Sequence, residues 1–432
     1  MYNTAVSEIL NPVHWRARGV HNRIMRSAPS MRARLEAHRP ERALPRDFYV
    51  HPDYFSQELQ SLWYRDWLFI GHECELGKGG DYLTATVGEY PILVLRDGAG
   101  AFRAFHNLCR QCGSRLCAAE HGAVSSLKCP RHPRVYRLDG TLLATGDAGT
   151  SIEHAEQRLE PLHCSVLAGY IFVCLAAQAP DFDTFARAAE PYLLPHRLRE
   201  AKVACESTIV EHANWKLVWE NNRECYHCAV NHPELCLSFP SAPTVMGLGA
   251  AAANPRMAAA WQRWEKLGLP SQFELGAGGQ TRLMRLPLLE GTVSFTVDGR
   301  PASRRPLSDS VTAEDVGSLL MFHYPSTWNH ILGDHATTFR LLPLSATETQ
   351  LTTKWLVHKD AREGLDYDVA RLTHVWRSTN DQDRRVCQEN QLGVNSPAYQ
   401  PAPYSPVHEA GVMQFIAWYR DCLLGRLGDE VA

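Results

Sequence analysis

Two histidines five positions apart, His227 and His232, follow a carboxylate, Glu224, within the stretch from Asn214 to Leu235. Two neutral imidazoles plus one carboxylate from elsewhere make the ligand set that holds ferrous iron, Fe(II), and leaves three coordination positions open. Dioxygen activation needs such positions, because O2 must reach the metal beside the substrate. The distant carboxylate is expected from the segment Thr379 to Asp383, with Asp383 the candidate and Asp381 its nearest competitor. By itself, a histidine pair at this spacing is more often a hydrogen-bonded pair than a metal site.

A second set of metal-type residues lies upstream, at Cys109, Cys112, Cys129 and His132. Cys109 and Cys112 form one Cys-x2-Cys knuckle, and Cys129 and His132 form a Cys-x2-His knuckle. Facing one another, the two offer three thiolates and one imidazole to a tetrahedral ion, usually zinc. The same four ligands could take an unusually ligated [2Fe-2S] cluster, whose added thiolate should lower its potential. A loop pair that binds no metal is the third reading. Cys117 is read as structural, and Cys74, Cys164, Cys174, Cys205 and Cys422 as small apolar residues. Thirteen cysteines, an odd number, without a secretory leader argue against a disulfide framework.

The residues around these ligands carry a family likeness. The run from Asn214 to Leu235 resembles the iron-binding helix of the Rieske-type non-haem iron oxygenases, in their alpha subunits. Trp376 to Tyr419, Trp67 to His72 and Phe102 to Asn107 resemble the same family. The likeness is greatest to the glycine betaine monooxygenase group of quaternary-amine oxygenases, over about Leu44 to about Tyr419. It implies His227, His232 and Asp383 as iron ligands. It makes Glu224 a bridging carboxylate that bonds a ligating histidine and leads to the cluster of an adjacent subunit; its plainer role is to orient that histidine. Asn221 and Tyr226 are expected to pack or support. The implied chemistry is O2-dependent C–H hydroxylation of a small amine, with an N-methyl group lost afterwards as formaldehyde. A separate flavin/iron-sulfur reductase and a homotrimer are implied as partners.

The chain departs from that family in one place. The family binds its [2Fe-2S] cluster through Cys-x-His and Cys-x-x-His, two Cys on one iron and two His on the other. Gln111 stands where the first of those histidines belongs, and an amide is a poor iron ligand. Arg131, Pro133 and Arg134 replace the tyrosine, small residue and tryptophan usual in the second loop. Two further readings therefore stay open. One is an iron enzyme with a structural Cys3His zinc site and no external electrons, which rearranges or cleaves an electron-rich substrate oxidatively. The other is a non-catalytic partner subunit.

The elements that must position these residues are those of an α+β protein. A small all-β Rieske-like domain is expected first, then a larger helix-grip-like domain with an antiparallel sheet flanked by helices. The expected bounds are an N-terminal arm over 1–46, the β domain over 47–178 and the mononuclear iron domain over 179–432. Strand-type residues in Asp81 to Val87 and Pro91 to Leu95, with a turn at Asp97–Gly98, carry the first assignment. Leu138 to Leu142 repeats the turn, and Ala168 to Leu175 reads as a buried closing strand. Helical spacing predicts helices over Glu211 to Cys228 and Tyr367 to Gln391, with strands from Leu319 to Val357 between them. The Ala- and Gly-rich stretch from Ala242 to Gln280 reads as loops over the substrate site. Trp261, Trp264, Tyr324 and Trp328 are candidates for caging a quaternary ammonium.

Composition narrows the class. At 432 residues with 45% hydrophobic and 21% charged residues, the chain suits a globular protein of two domains. A net charge of -3 argues against a nucleic-acid binder, and no apolar run is long enough to span a membrane. A cytoplasmic location is the default expectation. Arg16, Arg18, Arg23, Arg26, Arg32 and Arg34 fit an arm that docks on the body or on a neighbouring subunit better than a transit peptide, since Pro12, Pro29 and Pro40 interrupt any long helix.

Overall fold

The computed structural model describes residues 30–145, 157–240, 255–309 and 316–428. The chain enters through helices α1 (Met31–Ala37) and α2 (Pro52–Glu58). α1 buries Met31 and Leu35, and Arg32 donates to the carbonyls of Leu424 and Leu427 at 3.1 and 2.7 Å. This part of the arginine-rich arm thus docks on the body; Arg16, Arg18, Arg23 and Arg26 lie outside the described residues.

The first sheet is curled and antiparallel. Its strands are β1 (Leu68–His72), β2 (Asp81–Val87), β3 (Tyr90–Arg96), β4 (Phe102–His106) and β5 (His121–Ala123), closed by β9 (Pro161–Leu167) and β10 (Tyr170–Cys174). Their order is β1-β10-β9-β4-β3-β2-β5. Between β5 and β9, strands β6 (Leu127–Lys128), β7 (Val135–Tyr136) and β8 (Leu142–Ala144) make a small three-stranded sheet. Side chains alternate across β3 as a strand requires. Ile92 and Val94 enter the main core, whereas Leu93 and Leu95 join Phe105, Cys109, Cys129 and Tyr136 in a second, smaller core. The turn expected at Asp97 is present, with its carboxylate accepting from the amides of Ala99 and Ala101 at 2.9 Å.

Helix α3 (Phe182–Leu193) and strand β11 (Ala201–Glu211) lead to α4 (Trp215–Asn222), α5 (Cys228–Asn231) and α6 (Pro255–Lys266). Strands β12 (Glu274–Leu275), β13 (Thr281–Leu286), β14 (Ser318–His323), β15 (Thr327–Ile331), β16 (Ala336–Ser345) and β17 (Glu348–His358) follow, then α7 (Val369–Asn395) and α8 (Ala410–Arg426). The second sheet runs β11-β17-β16-β15-β14-β13-β12, all antiparallel. It is covered on both faces, so β14 is buried throughout. Leu320 and Phe322 join the core that contains α4, α7 and α8; Leu319 and Met321 pack with α3 and with Phe69, Tyr170 and Phe172 of the first sheet. Polar bonds tie the sheets together, among them Asn329 to the Tyr170 hydroxyl at 2.7 Å and Arg340 to the Ile70 carbonyl at 2.6 Å. The architecture is therefore the expected α+β arrangement of a small β unit followed by a larger sheet flanked by helices.

Three expectations need correction. The segment from Glu211 to Cys228 is not one helix. Glu211 ends β11, Asn214 caps α4 by accepting from the Lys216 amide at 2.9 Å, and the helix stops at Asn222. Beyond it the Glu224 carboxylate takes the Tyr226 amide, a local bond that competes with helix continuation. The stretch from Ala242 to Gln280 is not all loop, because α6 buries Met257, Ala260 and Trp264; residues 242–254 lie outside the described residues. Finally, one local disulfide joins Cys225 and Cys228. Among the described residues, no helix is long and apolar enough to cross a membrane.

A fully buried ion pair joins the start of the chain to the site-bearing helix. Lys216 Nζ lies 2.6 Å from Glu58, which also accepts from the Trp215 indole at 2.8 Å and from the Tyr419 hydroxyl. Removing one partner strands the other charge in the core, so Glu58→Ala is expected to cost about 3–5 kcal/mol in chemical denaturation. Asp360→Ala, which breaks an exposed pair with Lys359, should cost less than about 1 kcal/mol.

Glu211 supplies a pH signature. Burial, reinforced by the negative charge of Asp383, pushes its carboxyl up to about 8 from 4.5. Between those values the folded state keeps a proton that the unfolded chain has lost, so stability falls as pH rises through that window. Glu211→Gln should flatten this dependence by up to about 1.4 kcal/mol per pH unit, read from denaturation midpoints at pH 5.5 and 7.5.

Candidate functional site

α5 ends one residue before His232 and begins one residue after His227, so the two imidazoles turn toward each other. α7 crosses beside them and brings Asp383. His227 Nε2 lies 3.0 Å from His232 Nε2, and Asp383 Oδ1 lies 3.4 and 2.9 Å from the same two nitrogens. Three donors on one face of an octahedron, each roughly 2.1 Å from a common ion, stand about 3 Å apart. The three side chains therefore have the spacing that a facially bound cation requires. Asp381, the competitor, is on the exposed side of α7 and pairs with Arg384 at 2.8 Å.

The outer nitrogens of both histidines are occupied. Glu224 accepts at His227 Nδ1, and Gln382 faces His232 Nδ1 at 2.8 Å while donating to Glu234 at 2.8 Å. Such partners fix ring orientation and leave each Nε2 for a metal. Asn221 donates to Asp383 Oδ1 at 2.8 Å. Burial disfavours charge on the imidazoles, yet the hydrogen bonds that Asp383 and Glu224 accept outweigh it and hold His227 at about 9. Burial also opposes ionisation of Asp383, but hydrogen bonds from both imidazoles bring it down to about 2. The field at this point favours positive charge, whether protons or a cation. Cys228 lies near the two histidines, but its sulfur is bonded to Cys225. Tyr226 is exposed and stacks on His408 at 4.3 Å, so its role is at the surface.

A small cavity of about 50 Å³ opens on these ligands. Phe239, Phe322, His330 and Trp376 form much of its wall, and among the described residues no Lys or Arg lines it. Burial lowers His330 to about 3, so it presents a neutral ring tilted against Trp376, with ring centres 4.4 Å apart. The tryptophans and tyrosine expected to form a cage are elsewhere: Trp264, Tyr324 and Trp328 are core residues, and Trp261 packs against the cluster around Trp264. The true wall was partly accessible to sequence reasoning, since Trp376, Thr379 and Asp383 lie at helical spacing on one face of α7. Nothing in the sequence singled out Gln382 or Glu234.

The second set gathers in the β lobe. Asn107 pins the first loop by accepting from the amides of Leu116 and Cys117 at 3.1 and 3.0 Å. Gly113, with φ at +70°, lets the chain turn directly after Cys112. The sulfurs of Cys109, Cys112 and Cys129 lie within 4.8 Å of one another. Cys112 and Cys129 are 3.6 Å apart, and His132 Nδ1 is 4.0 Å from Cys129. Hydrogen bonding by Ser114, through hydroxyl and amide, lowers the Cys112 thiol to about 6. Cys117 is buried outside this group, and Gln111 is exposed.

Residues 198–425 match the family model of the ring hydroxylating alpha subunit (catalytic domain), and residues 66–153 match that of the Rieske [2Fe-2S] domain. The chain is 46% identical over 392 residues to the glycine betaine monooxygenase oxygenase subunit of Pseudomonas aeruginosa (strain UCBPP-PA14), covering 90% of this chain and 91% of that one. It is also 46% identical over 398 residues to the namesake subunit of Chromohalobacter salexigens, covering 92% and 89%. In fold, it is similar to the crystal structure of the quaternary ammonium Rieske monooxygenase CntA in complex with an inhibitor, with a TM-score of 0.69 at 20% identity over 89% of this chain and 96% of that one. A matched catalytic domain and close relatives of enzymatic name exclude the non-catalytic reading: the chain is an oxidoreductase, and it belongs to the Rieske non-haem iron oxygenase alpha subunits, close to the quaternary-amine monooxygenases.

Proposed function

We propose that this enzyme uses O2 at Fe(II) held by His227, His232 and Asp383 to hydroxylate an N-methyl group of a small quaternary amine. The observation that carries this reading is the convergence of three donors at facial spacing on the floor of an aromatic cavity. Iron bound by such a triad supplies open positions for O2 next to the substrate. Around it, Glu224 and Gln382 hold the two imidazoles by their Nδ1 atoms, and Asn221 steadies Asp383. Aromatic walls, with no Lys or Arg among the described lining residues, suit a cationic head group through cation–π attraction. Glycine betaine is the substrate class named for the relatives at 46% identity. Hydroxylation of one N-methyl group takes up one O2, two electrons and two protons, releases water, and leaves a carbinol that loses formaldehyde.

A second reading keeps the iron site but takes its electrons from the substrate. It is favoured by Gln111, exposed where the family has a cluster-binding histidine. Oxygen uptake with glycine betaine and related quaternary amines, with and without a reductase, separates the two. Uptake that depends on reductase, with formaldehyde formed, supports the first; uptake with substrate alone supports the second. Asp383→Ala should abolish both iron retention and oxygen uptake.

The outer partner of His232 gives a sharper test. Gln382→Ala is expected to weaken Fe(II) binding roughly 10–100-fold, measured by chelator competition. Asp381→Ala should leave that affinity unchanged.

A further inference from the structure

The β lobe poses a question separate from the iron site: what its rearranged loops can hold. A [2Fe-2S] cluster has four protein ligands, two on each iron. Two ligands of one iron are close neighbours, whereas ligands on different irons are separated by roughly 5 Å or more, because an iron–iron vector lies between them. Each ligand of a two-iron cluster therefore has a single close partner. Cys129 has two, Cys112 at 3.6 Å and His132 at 4.0 Å. To divide these ligands between two irons, Cys129 would have to move away from one of its two neighbours by roughly 1 Å or more.

A single tetrahedral ion requires no such separation. With metal–sulfur bonds of about 2.3 Å, neighbouring thiolates stand about 3.8 Å apart and a thiolate and an imidazole nitrogen about 3.6 Å apart. All three sulfurs lie within 4.8 Å of one another; His132 stands outside that group, 4.0 Å from Cys129, so its imidazole has to close inward to complete the tetrahedron. The residue types agree, since three thiolates and one imidazole are a zinc set, while the residue in the family's missing histidine position, Gln111, is exposed. The site is built from the protein's own core. Cys109 and Cys129 are 2% and 8% exposed and pack with Phe105 and Tyr136.

We infer that Cys109, Cys112, Cys129 and His132 bind one zinc ion in the β lobe, in place of a [2Fe-2S] cluster. Zinc keeps one oxidation state, so this lobe stabilises its two loops and carries no electron. With zinc here, electrons for hydroxylation must reach the iron directly from a reductase, and otherwise the reading in which the substrate supplies them holds. The inference does not depend on which amine, if any, the iron site oxidises.

The test is metal and acid-labile sulfide analysis of the full chain, produced with both iron and zinc supplied and purified anaerobically. One zinc per chain without labile sulfide is the expected result, and exchange of zinc for Co(II) should give the visible and near-ultraviolet bands of a tetrahedral thiolate site. Cys112→Ser should release zinc to a chelator at least tenfold faster than wild type, whereas Cys117→Ser should not. Two labile sulfides per chain with the absorption of an iron–sulfur cluster would overturn the inference, as would a lobe that takes up neither zinc nor Co(II). The Co(II) spectrum is read on the unsubstituted protein, so it stands even if the Cys112 variant fails to fold. Oxygen uptake is measured separately, so loss of one result leaves the other intact.

Discussion

α4 and α7, separated by about 150 residues of chain, must lie against one face of the second sheet in a fixed register, because the candidate iron site takes its parts from both. Asn214 sets that register at one end: its amide donates to Gln391 of α7 at 2.8 Å while its side chain caps α4. Asn380 sets it again near the middle of α7, donating to Thr353 of β17 at 2.9 Å. Asn221 closes the arrangement by reaching across to Asp383. A slide of α7 by one residue would rotate Asp383 by about 100° away from the histidines. The donor spacing near 3 Å thus depends on buried polar bonds whose loss is expensive.

The same register produces the cavity. Trp376 and Thr379 come to the wall because they share a face of α7 with Asp383, and β14 adds Leu320 and Phe322 from the sheet below. A concentration of ligands that favours positive charge therefore sits beneath apolar, aromatic surface. This pairing suits a substrate that is itself cationic but cannot donate hydrogen bonds, as a quaternary amine cannot. Arg223, buried against the back of this wall with its guanidinium over Phe322 at 4.2 Å, is turned to the Tyr324 hydroxyl instead of the cavity.

The two lobes have kept different parts of their inheritance. The larger one carries the candidate ligands His227, His232 and Asp383 that the family resemblance implies, with Glu224 beside His227. The smaller one has the sheet and the two loops, with Gln111 exposed and the Cys112 sulfur 3.6 Å from Cys129. Moving a ligand by one position along a tight loop changes which ligands are neighbours. In a cluster with two distinct irons, neighbour relations matter as much as ligand type.

Much of this was legible in the sequence because it is carried by local pattern. The strands around Asp97 and Gly140, the long helix from about Tyr367 and the knuckle spacings follow from residue type and short-range spacing, whereas His227, His232 and Asp383 became candidate ligands through resemblance to a family. What the sequence could not decide concerns residues that meet only after packing. The break after Asn222 depends on Glu224 taking a backbone amide that a continuous helix would have used, a choice propensity does not register. The cavity wall of Phe239, Phe322 and Trp376, instead of the expected Trp264, Tyr324 and Trp328, was decided by which faces of β14 and α7 point inward. Likewise, the Gln382–Glu234 support of His232 and the double neighbourhood of Cys129 are properties of distances between distant segments. Composition and spacing determine which chemical groups the chain owns; only tertiary packing decides which of them stand 3 to 4 Å apart, and metal chemistry is set at that range.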